Sequence, residues 1–135
     1  MKIEKSYSLP FPLEKVYQAW ISSTTVIAPA TRMDIVGKVG GHYRLFIDSA
    51  DFTGINEGTF SRVEPDSRLT YTWEWNNDGD ISIIDVKFTK IEAGTQVDLT
   101  HSGFSSQQSL ADHDSGWDSY IQGFSEYLAD RLTAE

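Results

Sequence analysis

The sequence predicts an α+β domain in which a curved antiparallel β-sheet wraps around a long C-terminal α-helix, with one or two short helices after the first strand. Three observations carry this. The last stretch, Ser109 to Leu132, has helical periodicity: at about 100° per residue, Leu110, Trp117, Ile121, Phe124, Leu128 and Leu132 fall within an arc about 80° wide, with Asp118, Ser119, Gln122, Glu126 and Asp130 opposite. Most of the chain before it alternates apolar and polar residues, the mark of strands with one buried face. Short clusters of Gly, Asn, Asp and Pro separate those runs, as hairpins require. An amphipathic rod beside half-buried strands has to lie on their apolar side.

Taken in order, Lys2 to Leu9 is an opening strand, with Ile3, Lys5, Tyr7 and Leu9 on one face. Pro10 and Pro12 end it. Pro12 suits the start of a helix, where no N–H is needed, and Leu13 to Ile21 places Val16, Tyr17 and Trp20 on one side of a short helix. Ser22 to Arg32 has no clean period and reads as a loop or a weak second helix. A meander then follows: Met33–Lys38, His42–Asp48 after Gly40-Gly41, Thr53–Glu64, Arg68–Asn76, Asp80–Glu92 and Thr95–Ser102. Pro65-Asp66-Ser67 and Ala93-Gly94 mark two of its turns. Asn76-Asn77-Asp78-Gly79 suits a hairpin with positive φ.

The final helix carries its own start signal. Ser109-Leu110-Ala111-Asp112 has the form of a helix entry, a hydroxyl for a free backbone N–H followed by an acid near the positive end. About 24 residues at 1.5 Å each make a rod of roughly 36 Å, enough to cross a small domain. Gly116 and Gly123 lie on one side of it, near Tyr120 and Tyr127. Each costs about 1 kcal/mol of helix propensity against alanine, so each needs a spatial reason: close approach of the sheet, or room for a ligand.

Size and charge narrow the function. At 135 residues, 1–135 fits a single domain with a core of its own. There is no cysteine, which excludes disulfides and thiolate metal sites and fits a reducing compartment. No signal-like run follows Met1-Lys2-Ile3-Glu4-Lys5 and no stretch approaches the ~20 apolar residues of a membrane span, so the expected location is the cytoplasm. The formal charge of −9 repels phosphate backbones and anionic lipid, which argues against nucleic-acid and membrane partners.

No specific catalytic motif emerges. His42, His101 and His113 lack metal-ligand spacing, there is no Gly-x-Ser-x-Gly elbow, and Gly37-Lys38-Val39-Gly40-Gly41 lies between strands instead of opening a helix. Neither a metal nor another cofactor is expected. By strand parity Leu69, Tyr71, Trp73 and Trp75 share one face, as do Ile84, Val86 and Phe88, and Val97, Leu99 and His101. So much aromatic bulk facing Trp117 and Phe124 either fills the core or lines a cavity suited to an apolar or flat ligand. His101 is the leading polar candidate, tied to backbone or hydroxyl in one reading and orienting a ligand or acting as acid or base in the other. Asp34 and Asp85 are candidate carboxylate partners for it, though Asp85 points outward by parity.

Four segments carry a family resemblance. They are Phe11-Pro12-Leu13-Glu14-Lys15-Val16-Tyr17-Gln18-Ala19-Trp20; Asp34-Ile35-Val36-Gly37-Lys38-Val39-Gly40-Gly41-His42-Tyr43; Gly58 to Pro65 with Arg68-Leu69-Thr70-Tyr71-Thr72-Trp73; and Gly94 to Phe104 with Gly116-Trp117. In this order the chain resembles the START-like (SRPBCC) superfamily with its helix-grip fold, and within it the family named for the activator of heat-shock protein 90 ATPase. One departure stands out: Thr25-Val26-Ile27-Ala28-Pro29-Ala30 keeps the proline but not the tryptophan usual in that loop, which commonly lines the cavity mouth. The superfamily includes lipid carriers, hormone receptors and polyketide cyclases, so the resemblance implies a fold before it implies a function. Its chaperone-activating members carry an additional domain not seen in this sequence, an expectation against direct chaperone activation.

The reading that results is a module that binds a small hydrophobic molecule between sheet and final helix, walled by Tyr71, Trp73, Phe88, His101, Trp117, Tyr120 and Phe124. Two rivals are a cyclase- or hydrolase-like enzyme using His101, and a chaperone-associated interaction domain with a protein partner, a filled core and an apolar patch on the sheet.

Overall fold

The computed structural model describes residues 2–133. Its elements are β1 (Lys2–Leu9), α1 (Leu13–Trp20), β2 (Arg32–Ile35), β3 (His42–Asp48), β4 (Thr53–Glu64), β5 (Arg68–Trp75), β6 (Ser82–Ile91), β7 (Gly94–Ser102) and α2 (Gln107–Thr133). The seven strands form one antiparallel sheet in the order β1-β7-β6-β5-β4-β3-β2, so the first strand closes against the last. A register shift between Phe60 and Arg62 bends β4 against β5. The fold is the curved sheet gripping a C-terminal helix that the sequence predicts.

Local chemistry explains where the boundaries differ from expectation. The helix α2 starts at Gln107, because the Ser106 hydroxyl accepts the Ser109 N–H at 3.1 Å and so caps it; Ser109 already occupies the third helical position. Strand β2 stops at Ile35 because the chain curls back immediately, the Lys38 N–H donating to the Val36 carbonyl and the Gly41 N–H to the Lys38 carbonyl. Residues 22–31 form a loop with no second helix. The β5–β6 hairpin has the turn chemistry expected of it, with Asn76, Asn77 and Gly79 all at positive φ.

The core lies between the concave face of the sheet and the two helices. Leu69, Ile84, Val86, Val97 and Leu99 of β5–β7 meet Val16, Tyr17 and Trp20 of α1 and Ile121, Phe124 and Leu128 of α2. Each fully buried side chain of this kind contributes about 1.5–3 kcal/mol through removal from water. At the sheet edge, Lys5 reaches across to Asp114 at 3.1 Å and Asp118 at 3.2 Å, and the Tyr7 hydroxyl donates to Asp118 at 2.8 Å. These contacts fix one turn of α2 against β1. On the convex face Arg68 pairs in bidentate fashion with Asp85, at 2.8 and 3.0 Å, and Thr70 donates to the same carboxylate. Asp85 thus points outward, as its parity requires, and joins β5 to β6. Among the described residues no helix is long and apolar enough to cross a membrane.

Candidate functional site

The apolar face of α2 does not cover the whole sheet. Packing is dense over β1, β7 and β6, while the β2–β5 half extends beyond the helix and is closed by the 25–30 loop. Between them lies an open cavity of about 690 Å³. Its floor is the inner face of four strands: Met33 and Ile35 of β2, Tyr43, Leu45 and Ile47 of β3, Phe60 of β4, and Tyr71, Trp73 and Trp75 of β5. Its roof is Trp20 with Trp117 and Tyr120, and the loop adds Ile27, Ala28, Pro29 and Ala30. Phe52, 46% exposed, stands at the rim against Trp75 with ring centroids 6.0 Å apart.

The two glycines of α2 have different reasons. A Cβ on Gly116 would meet nothing within 4 Å, because that turn of helix borders the cavity. A Cβ on Gly123 would lie 2.6 Å from Cγ2 of Ile27, so this glycine lets the loop sit against the helix. The close approach expected of the sheet is made at Gly123 by the loop instead, while Gly116 faces open space.

Of the seven residues singled out from the sequence, Tyr71, Trp73, Trp117 and Tyr120 border the cavity. Phe88 and Phe124 lie behind its wall, packed on Trp20 at 5.6 and 5.3 Å between ring centroids, and do not reach its surface. His101 is also behind the wall, with no exposure at all. Its Nδ1 accepts the Trp117 indole N–H at 3.0 Å, and its Nε2 therefore carries the proton and donates to the Ser82 hydroxyl at 2.6 Å. Burial, and after it the nearby His113, push its pKa down to about 3. A neutral imidazole with both nitrogens occupied and no path to the cavity is a structural group. It has no free lone pair with which to take the Ser82 proton, so the pair is not a nucleophile with its base.

His113 repeats the pattern closer to the cavity. Its Nδ1 donates to the Ser109 carbonyl at 2.7 Å and its Nε2 accepts the Trp73 indole N–H at 3.1 Å. The Trp20 indole donates to the Tyr71 hydroxyl at 3.1 Å, and the Tyr43 hydroxyl donates to the Thr72 carbonyl at 2.6 Å. The indole N–H groups of Trp20, Trp73 and Trp117 and the Tyr43 hydroxyl are thus satisfied by the protein itself. Asp34 lies on the outside of β2, paired with Arg32 at 2.8 Å, and Asp85 is held by Arg68, so neither approaches His101. Among the described residues there is no group of three or more His, Cys, Asp or Glu side chains placed to hold a metal ion.

The family model for activator of Hsp90 ATPase homolog 1-like protein matches residues 10–129. The chain belongs to that family. Solved structures agree on the fold: an AHSA1-like protein from Aeromonas hydrophila is 24% identical, with a TM-score of 0.84 over 97% of this chain and 94% of its own. MLL2253 from Mesorhizobium loti is 23% identical with a TM-score of 0.82, covering 97% and 98%, and SA2116 from Staphylococcus aureus, described as of unknown function, is 16% identical with a TM-score of 0.77, covering 100% and 96%. Comparison with curated proteins gives no significant match.

Against this AHSA1-like background, sequence reasoning missed the β2–β4 half of the cavity: Met33, Ile35, Tyr43, Leu45, Ile47 and Phe60. The signal was present, since Tyr43, Leu45 and Ile47 alternate with His42, Arg44 and Phe46 along β3. What the sequence lacked was the strand order. Without it, nothing said that β2–β4 would run past the end of the helix packing while β1, β6 and β7 would not.

Proposed function

We propose that this AHSA1-like protein binds a small hydrophobic molecule in the space between the β2–β5 half of the sheet, the 25–30 loop and α2. The observation that carries this reading is the cavity itself. It is within the ~300–1,000 Å³ range of small-molecule sites, it is walled almost wholly by apolar and aromatic side chains, and it opens to solvent. An apolar space of this size left in a folded core forfeits dispersion contacts, and a ligand restores them. Gly116 adds support: a residue unfavourable in mid-helix borders that space, and a Cβ there would meet nothing within 4 Å. The rival enzyme reading finds no support in His101, whose nitrogens are both committed. An interaction domain of the chaperone-associated kind would present an apolar patch on the sheet. The exposed Ile55 and Ile83 of the convex face are instead separated by Thr72 and Glu74 of β5. The cytoplasm is the compartment we assign to this binding, in keeping with the absence of cysteine.

The test is native mass spectrometry of the protein purified from its own host, together with a Gly116→Phe variant that fills the cavity from the helix side. A retained small molecule in the wild type, absent from the folded variant, is the expected result. A uniformly empty protein that also gains no thermal stability from lipids, polyketides or flavonoids would sink the reading.

A further inference from the structure

The polar inventory of the cavity narrows the class of ligand. Among the described residues, Asp112 is the one charged residue that borders it, exposed at the rim, and no Lys or Arg side chain reaches it. Both ring nitrogens of His113 are committed, Nδ1 to the Ser109 carbonyl and Nε2 to the Trp73 indole N–H. Asn76 and Ser119 are likewise exposed rim residues, and the Thr25 hydroxyl is shut off from the open space. Among the lining hydroxyls, that of Tyr120 differs. The Tyr120 ring is packed by Trp20 at 5.6 Å, Trp117 at 5.7 Å and Phe124 at 5.8 Å between centroids, yet its hydroxyl makes no hydrogen bond among the described residues. Tyr120 is part-buried and borders the cavity, and its hydroxyl is not among the fully buried polar atoms left without a partner. Trp20 joins it to a second phenol: the indole that packs edge-on against Tyr120 donates its N–H to the Tyr71 oxygen, leaving the Tyr71 proton to be given away.

We infer that the Tyr120 hydroxyl, backed by that of Tyr71, is the polar contact that orients the ligand, and that the ligand is a neutral, ring-containing molecule with an acceptor oxygen such as a ketone. This rests on the binding reading above and deepens it. Two phenolic donors, joined at the wall by the Trp75 indole N–H, which makes no hydrogen bond among the described residues, favour a group that accepts hydrogen bonds without carrying charge. A carboxylate would be buried with no cation to meet it, inside a protein of net charge −9, and such burial is strongly unfavourable. Ring faces on floor and roof favour a flat ligand over a free alkyl chain, which loses more conformational freedom on binding. The orienting role expected of His101 thus passes to a phenol.

The experiment compares three probes of one shape, fluorene, 9-fluorenone and fluorene-9-carboxylate, titrated by tryptophan fluorescence against the full chain and a Tyr120→Phe variant that keeps the ring. The ketone is expected to bind the wild type more tightly than either companion. Loss of the hydroxyl is expected to weaken the ketone by roughly two- to tenfold and leave fluorene unchanged. Equal loss for ketone and hydrocarbon, no loss for the ketone, or a carboxylate that binds as tightly as the ketone overturns the inference while the cavity remains a binding site. Failure of all three to bind overturns the binding reading and the inference with it.

Discussion

At the scale of single residues, Trp117 carries more than its area. Its indole is 7% exposed, it stacks on Trp20 at 6.2 Å, and its N–H satisfies His101 in the core. Trp117→Ala is expected to destabilise by about 3–5 kcal/mol. Trp117→Phe, which restores much of the ring but leaves the His101 Nδ1 without a donor, should still cost about 1–3 kcal/mol in urea denaturation. A near-neutral Ala variant would mean that this helix face packs on nothing. His101 itself sets a pH dependence. Its folded pKa, about 3, lies below the ~6.5 of an unfolded histidine, so between these values the unfolded chain binds the extra proton. Stability is therefore full above about pH 6.5 and falls as pH drops toward 3, by about 2–3 kcal/mol at pH 4.5. Denaturation midpoints at pH 7 and 4.5 measure this, and a His101→Gln variant, less stable at pH 7, should show a flatter slope. An unchanged slope would place the titrating group elsewhere.

At the scale of elements, α2 shows what a sequence does and does not reveal. Its apolar stripe is explicit in the order of residues, because the 3.6-residue period is a local property, and so is the paired-strand alternation of β5, β6 and β7. Its cap lies three residues before the expected Ser109: both Ser106 and Ser109 can cap, and only the backbone conformation decides which hydroxyl meets a free N–H. Ser106→Ala is accordingly expected to cost about 1 kcal/mol and Ser109→Ala much less, read as a difference in thermal midpoint. The glycines separate in the same way. Gly116→Ala should stabilise by up to about 1 kcal/mol, since its Cβ meets open space, whereas Gly123→Ala should lose that gain by displacing Ile27 and the 25–30 loop. From sequence both were simply helix-breaking residues on one face. The cavity's floor was hidden for a longer-range reason, because strand alternation fixes which side chains share a face but not which strands lie beyond the reach of the helix.

At the scale of the whole molecule, two electrostatic regimes compete. The strongest local pairs, Lys5 with Asp114 and Asp118 and Arg68 with Asp85, tie distant segments together. In each, burial opposes the charged state but the hydrogen bonds outweigh it, so the Lys5 pKa rises and that of Asp85 falls. Against them stands the repulsion among twenty acidic side chains offset by eleven Lys and Arg. Part-exposed pairs at about 3 Å are worth little individually and lose only part of that to salt, whereas repulsion across the domain acts over distances that salt removes. The screening length falls from about 30 Å at 0.01 M to about 8 Å at 0.15 M ionic strength, that is, from the full width of a domain this size to a fraction of it. Sodium chloride added over that range is therefore expected to raise the thermal midpoint, by about 4 °C if the repulsion released is about 1 kcal/mol. A midpoint that falls with salt would show that the pairs holding α2 to β1 and β5 to β6 outweigh the net charge. Lys5→Met would then have to abolish most of that fall.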